Sequence, residues 1–203
     1  MSWEYVKLRV GDKARFECLR CGRCCIGPNV DLTAFDIHRI LRFLGLGWTG
    51  VKGRYVVAVV ADMMAIPVLK DKGGRCVFLE FKGEKPTCTI YPARPMRCRL
   101  YPFIPYSPSD NRTVYLDKHC LGLNAHTCAE PPWETLKKYC SEAKRHYSKL
   151  YKLIFREGCE PLEALEKVIE DVDELVIKQP HVQDNLYFKQ ASRSYAHSKR
   201  KGA

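Results

Sequence analysis

The sequence predicts an α+β domain, small and irregular, with short strands up to about residue 120 and a helical hairpin at its C-terminal end. Three observations predict it. Short β-branched words, RYVVAVV, MAIPVLK, CVFLE and CTIY, recur between residues 54 and 91, with KGG and KGEKP as the turns between them. One stretch, DLTAFDIHRILRFLG, places apolar residues at helical spacing. From residue 131 two longer helical patterns follow one another.

Taken in order, residues 1–17 read as a short strand or extended lead-in. In the first helical stretch Thr33 and Asp36 have capping-box spacing, with Asp a weaker third partner than Glu. Phe35, Ile37, Ile40, Leu41 and Phe43/Leu44 form its apolar stripe, and Gly45 ends it. GLGWTGVKG reads as a link, and TVYL at 113–116 as one more strand. PPWETLKKYCSEAKRHYSKLYKLIFREG opens on prolines and ends at Gly158. EPLEALEKVIEDVDELVIKQP opens at Pro161 and stops at Pro180, which completes a helical hairpin. The expected division is a cysteine-bearing metal-binding domain over 1–128, a hairpin over 129–180 packed on it, and a flexible tail over 181–203. From Lys189 that tail carries five basic residues and no acid. No internal repeat is visible.

The 203 residues, 46% of them hydrophobic, suit one domain or one domain with an appendage, and suffice for a core without disulfide staples. The opening MSWEYVKLRVGDKARFEC has charges throughout and no signal-peptide pattern. The most apolar run, YVVAVVADMMAIPVL, is interrupted by Asp62 and Pro67 and falls short of the ~18 residues of a spanning helix. A soluble, cytoplasmic protein with no membrane partner is expected. Asn and Gln are scarce (four and three) beside many Lys, Arg and Glu, a thermophilic tendency.

The formal net charge is +11. Residues 1–120 hold 20 Lys/Arg against 11 Asp/Glu, and residues 121–203 hold 14 against 12, so the excess sits with the cysteines. Each metal-bound thiolate adds a negative charge. Two four-thiolate sites of net −2 would bring +11 to about +7, so part of the excess reads as compensation for thiolates. The rest keeps nucleic acid among the candidate partners.

The stretch CLRCGRCC puts four cysteines into eight positions. Cys18, Cys21 and Cys24 follow C-x-x-C-x-x-C, whose two-residue spacers aim successive sulfurs at one point, as in both iron–sulfur cubanes and zinc sites. Gly22 suits backbone that needs positive φ or close approach. Cys25 is different, because neighbouring side chains in extended backbone diverge, so Cys24 and Cys25 do not easily serve one metal. Cys76, Cys88, Cys98 and Cys120 follow downstream. Eight thiols permit two four-thiolate sites; one site plus a redox-active or free remainder competes with that count. Which cysteines share a site is not legible.

In order along the chain, CLRCGRCC, DLTAFDIHRI, CVFLE, CTIYPARPMRCRLYPF and HCLG resemble the YkgJ-type CxxCxxCC family over roughly residues 15–123. The resemblance implies chelation of zinc or iron, and its cysteine pattern falls on Cys18, Cys21, Cys24, Cys25, Cys76, Cys88, Cys98 and Cys120. A related cysteine-rich region belongs to the larger flagellin lysine N-methylases, which adds an accessory or enzymatic role as an alternative. The resemblance says nothing of the chain beyond about residue 130.

In YPARPMRCRLYPF, Arg94, Arg97 and Arg99 flank Cys98 and can donate charge-assisted hydrogen bonds to thiolate or cluster sulfur. Cys128, Cys140 and Cys159 lack a C-x-x-C neighbour and read as core thiols, with a disulfide among them as the alternative. His119 adjoins Cys120, but adjacent residues rarely share a metal. His38 reads as a partly exposed helix residue, and His126, His146, His181 and His197 as surface. Aromatics beside basic residues, as in RLYPFIPY and HYSKLYKLIF, suit either base stacking or core packing.

The leading functional expectation is a protein holding a [4Fe–4S] cluster for electron transfer or redox sensing. The alternative is a structural zinc domain that serves as a basic RNA- or ribonucleoprotein-binding module. No acid/base pair, nucleophile elbow or phosphate loop marks an enzyme. The oligomeric state is not legible.

Overall fold

The computed structural model describes residues 5–27 and 30–172. Its largest sheet has three antiparallel strands. Strand β8 (Asp110–Asp117) lies between β1 (Tyr5–Arg9) and β7 (Phe103–Ser107), with Leu8 opposite Val114 and Phe103 opposite Leu116. The strand expected at TVYL is the middle of β8. β7 went unread, because Pro105 sits within it; an edge strand tolerates a proline that a central strand does not.

Two tight hairpins and a two-residue pairing of β2 (Ala14–Arg15) with β9 (Cys128–Ala129) complete the strands. The first hairpin joins β3 (Val56–Ala61) to β4 (Met64–Leu69) through Asp62 and Met63, both at positive φ (47° and 62°). Pro67 lies opposite Ala58, and its carbonyl accepts from Leu32 N–H at 2.8 Å, so the chain at 30–32 covers the outer edge of β4. The second hairpin joins β5 (Leu79–Lys82) to β6 (Lys85–Cys88). Strand pairing therefore starts after Cys76-Val77-Phe78 and ends at Cys88. Most of CVFLE and CTIY is turn rather than strand.

Helix α1 (Ala34–Leu44) forms as its sequence dictates. Thr33 accepts from Asp36 N–H, Asp36 accepts from Thr33 N–H, and Gly45 ends the helix at φ 66°. GLGWTGVKG is more than a link, since Trp48–Val51 makes one helical turn, α2. Met96–Leu100 forms a short helix, α3, which was not expected from the sequence and opens on Pro95 as its N-cap. Helices α4 (Trp133–Phe155) and α5 (Pro161–Glu170) make the expected hairpin, turning through Gly158 at φ 70°. The expected continuation to Pro180 and the tail over 181–203 lie outside the described residues. No helix among the described residues is long and apolar enough to cross a membrane.

The α+β class holds, with two apolar clusters. One packs α1, the β3–β4 hairpin and α5 around Ile37, Ile40, Val56 and Val168, all with no solvent exposure. Fully burying such side chains contributes about 1.5–3 kcal/mol each. The other packs α3 against the three-stranded sheet around Leu100, Val114 and Leu136. Helix α4 serves both: Leu136 and Ala143 face the second cluster, while Leu150 and Leu153 face the first.

Candidate metal centre

The chain's eleven cysteines are all free thiols. Those of CLRCGRCC sit on an open loop closed by a 3-10 turn at Arg23–Cys25. Gly22, at φ 70°, starts that turn and lies so close to the second hairpin that a Cβ on it would meet Pro86 Cβ at 2.6 Å. The loop thus rests on β5–β6 through a position only glycine fills. The chain then runs antiparallel to residues 74–76, with Cys76 N–H donating to Cys25 C=O at 2.8 Å and Ile26 bridging to Arg75. Cys88 ends β6 opposite Leu79, whose N–H donates to the Cys76 carbonyl at 2.9 Å. Cys98 comes from α3 and Cys120 from the turn after β8.

Three of these sulfurs share one local device. The sulfurs of Cys76, Cys88 and Cys120 each accept the backbone N–H of the residue two positions on: Phe78, Ile90 and Gly122. A turn that aims an amide at sulfur stabilises thiolate, the form that binds metal.

Two neighbourhoods emerge from which sulfurs feel one another's charge. Cys25 feels Cys24, Cys76 and Cys88; Cys98 feels Cys76, Cys24 and Cys88. Cys120 feels Cys21, Cys18 and Cys24. Cys24 belongs to both groups. Among the described residues no three or more His, Cys, Asp or Glu side chains converge tightly enough to hold an ion, so the sulfurs are neighbours rather than a closed shell.

Their protonation follows from that crowding. A hydrogen bond from the Cys25 thiol, helped by the Arg94 charge, lowers Cys24 to about 7 against the opposing effect of burial. The same bond, then burial and repulsion from its neighbours, pushes Cys25 far up. Burial, with repulsion from Cys76 and Cys24, raises Cys88 to about 11. Burial likewise raises Cys98, Cys76 and Cys120. Several thiolates this close together repel one another, and a bound zinc or iron would supply the positive charge that offsets the repulsion. The all-sulfur donor set and the amide donors fit such an ion.

The three flanking arginines take different places. Arg94 brings its charge to Cys24 and Cys88 and stacks on Tyr91 at 4.1 Å, with Arg20 against the same ring at 4.8 Å. That ring ties the cysteine loop to the Cys98 segment. Arg97 pairs with Asp31 at 3.0 Å and bonds Tyr139. Arg99 braces the loop by donating to the carbonyls of Arg94 (2.9 Å) and Pro92 (2.7 Å).

Outside the cluster, Cys140 is buried and its thiol faces the carbonyls of Asp110 (3.5 Å) and Ser107 (3.9 Å). Cys128 is exposed on β9, so the core expected for it is absent there. Cys159 is half-buried and accepts from Lys167 at 3.4 Å. The His119 ring is held by Asp117 at 3.0 Å and is largely exposed.

A second polar assembly went unread. Asp36 is fully buried and accepts from Thr33, from Met96 N–H at 2.8 Å and from Arg39 at 2.6 Å. Arg39 also grips Glu142 of α4 through two 2.7 Å bonds. Burial acts to lower the Arg39 pKa, but the two carboxylates outweigh it and raise it. His146, read as surface, is fully buried; its Nδ1 accepts Ala34 N–H at 3.3 Å, which places its proton on Nε2. Burial lowers its pKa to about 4, against the pull of Asp36, so the ring is neutral.

The arrangement defines a class first: a domain whose turns present clustered thiols and amide donors to a soft metal. Comparison then specifies it. The chain belongs to the CxxCxxCC family, described as "Putative zinc- or iron-chelating domain", which matches residues 17–141. It is also 35% identical over 112 residues to an uncharacterised protein of Methanocaldococcus jannaschii, a match covering 53% of this chain. The match spans 58% of that relative's length, little more than half. No solved structure matches.

Proposed function

We propose that the eight cysteines form two four-thiolate sets, one of Cys25, Cys76, Cys88 and Cys98 and one of Cys18, Cys21, Cys24 and Cys120. The observation that carries this reading is the shared amide-to-sulfur turn at Cys76, Cys88 and Cys120. The backbone bond between Cys25 and Cys76 assigns Cys25 to the first set. Cys24, whose charge also acts on Cys120 alongside those of Cys18 and Cys21, completes the second. The metal is read as an iron–sulfur cluster of the [4Fe–4S] type, used in electron transfer or redox sensing. C-x-x-C-x-x-C spacing supports it, as does the Arg94 charge, which would favour a reduced, more negative cluster. Arg94 is the chain's own means of tuning that cluster, and Arg99 fixes the loop that carries it.

The test is iron, zinc and acid-labile sulfide per chain in protein purified without oxygen or added metal. Iron and sulfide in equal amounts, about four each or a multiple, support the cluster. Zinc without sulfide, about one or two per chain, overturns it in favour of structural zinc. Cys98→Ser is expected to lose about half the metal or more, while Cys140→Ser keeps the wild-type amount. Equal retention in the two variants would sink the cysteine assignment.

A further inference from the structure

Helix α4 spends one face on both apolar clusters and presents the other to solvent. With Arg156 just beyond its end, it carries seven cations (Lys137, Lys138, Lys144, Arg145, Lys149, Lys152 and Arg156) against Glu134 and Glu142, and Glu142 is buried on Arg39. Five of the seven, Lys137, Lys138, Lys144, Lys152 and Arg156, are exposed. They recur with Ser141, Ser148, Tyr151 and Phe155 at three- and four-residue steps, which makes one stripe. At 1.5 Å per residue the stripe runs about 28 Å.

Within it Lys137 pairs with Glu134 at 2.6 Å and Lys152 with Glu157 at 3.2 Å. Both are on the surface and worth little, so either cation can exchange its carboxylate for another anion. At its C-terminal end the stripe meets two aromatic rings with no core to fill. Tyr151 and Phe155 are 54% and 51% exposed, with ring centroids 4.9 Å apart. Beside them Tyr147, Ser148, Tyr151, Lys152 and Arg156 line an open groove of about 510 Å³.

We infer that this face of α4 binds single-stranded nucleic acid, with the cations tracking phosphates and Tyr151 and Phe155 stacking on bases. Charge complementarity selects a polyanion, and a row of cations about 28 Å long matches an extended one. The exposed rings select single strands, whose bases offer free faces; bases in a duplex are already stacked. A membrane surface fits poorly, because an interfacial helix needs a broad apolar face and this one has two rings among cations and serines. The metal's identity plays no part in this inference.

The experiment uses the full-length, metal-loaded protein and a fluorescein-labelled 20-nucleotide oligouridylate, followed by anisotropy between 50 and 300 mM KCl. Wild type is expected to bind in the micromolar range at low salt and weaken steeply as salt rises. Lys144→Gln/Lys152→Gln/Arg156→Gln should reduce the slope of log K against log salt by about two, at ~0.7 per phosphate contact. Tyr151→Leu/Phe155→Leu should weaken binding about ten-fold or more with the slope unchanged. Circular dichroism and metal content equal to wild type confirm that both variants fold. The inference is overturned by no binding at 50 mM KCl, or by binding that neither variant alters. Equal or tighter binding to duplex RNA, to poly-glutamate or to phosphatidylserine vesicles overturns it as well.

Discussion

The thiol set and the Asp36–Arg39–Glu142 network are polar groups of one small domain, the first exposed or half-buried and the second largely buried, and they balance charge in opposite ways. In the network a single guanidinium answers two carboxylates, and Thr33 and the Met96 amide supply the remaining hydrogen bonds. Its carboxylates are answered within the chain, and Arg39 Nε is the atom of the network left without a hydrogen-bond partner among the described residues. The thiols have amide donors and Arg94 nearby, but burial and mutual repulsion hold most of them protonated. A bound cation would supply the counter-charge they lack. The network fastens α1 to α3 and α4, and α3 carries Cys98, so the self-sufficient assembly positions part of the dependent one.

The largest effect that would break this contrast comes from the network. Arg39→Met strands two buried carboxylates. Removing one partner of a buried pair costs about 3–5 kcal/mol, which for a chain of this size lowers Tm by roughly 10 °C. The replacement of Asp36, Arg39 and Glu142 together by Asn, Met and Gln should cost much less, because asparagine keeps an acceptor for Thr33 and the Met96 amide and no buried charge is left unpaired. Thermal unfolding of the holo-protein reads both. If the single and triple variants lose the same stability, the network acts through packing, and the contrast with the thiols falls.

The contrast also explains what was legible. Helix α1 could be read because its signals are local: a capping box, a 3.6-residue stripe and a closing glycine. C-x-x-C-x-x-C could be read because its spacing is itself the geometry. Helix α3 and strand β7 could not. Their prolines resemble loop punctuation, and only the neighbouring sheet and α1 make RPMRCRL a helix and FIPYS an edge strand. Grouping the sulfurs required contacts such as Cys25 with Cys76, 51 positions apart, which no spacing rule supplies. Glu142 and His146 were different, because their positions were readable. Tyr139, Ala143 and Leu150 fix the buried face of α4, and Glu142 and His146 fall on it. A polar residue on an apolar helix face signals a buried partner, and here the partners are Arg39 and the first turn of α1.

His146 sharpens the comparison at acid pH. Its folded pKa, about 4, lies below the ordinary value of 6.5. The unfolded chain therefore binds the proton first. The His146 contribution is fully present above pH 6.5 and is lost as pH falls towards 4, by about 3 kcal/mol in all. The ring meets Asp36, Tyr147 and the Ala34 amide, and the Asp36 charge works against the shift. Denaturant unfolding at pH 7 and pH 4.5 should show His146→Gln with a flatter pH dependence than wild type. An unchanged slope would place the acid sensitivity elsewhere.

The smallest effect tests whether the thiols are tuned by the chain as well as by the metal. Arg94→Gln removes a guanidinium whose charge acts on both Cys24 and Cys88. A supporting charge beside metal ligands is worth about 10–100-fold in affinity. Competition against a chelator should show that loss for the metal found in the purified protein. Arg97→Gln is the control, since Arg97 is engaged with Asp31 and Tyr139. It should weaken metal binding far less while lowering Tm. Equal losses of affinity would mean that the arginines act by holding the loop in shape, and that the sulfurs depend on the metal alone for their positive charge.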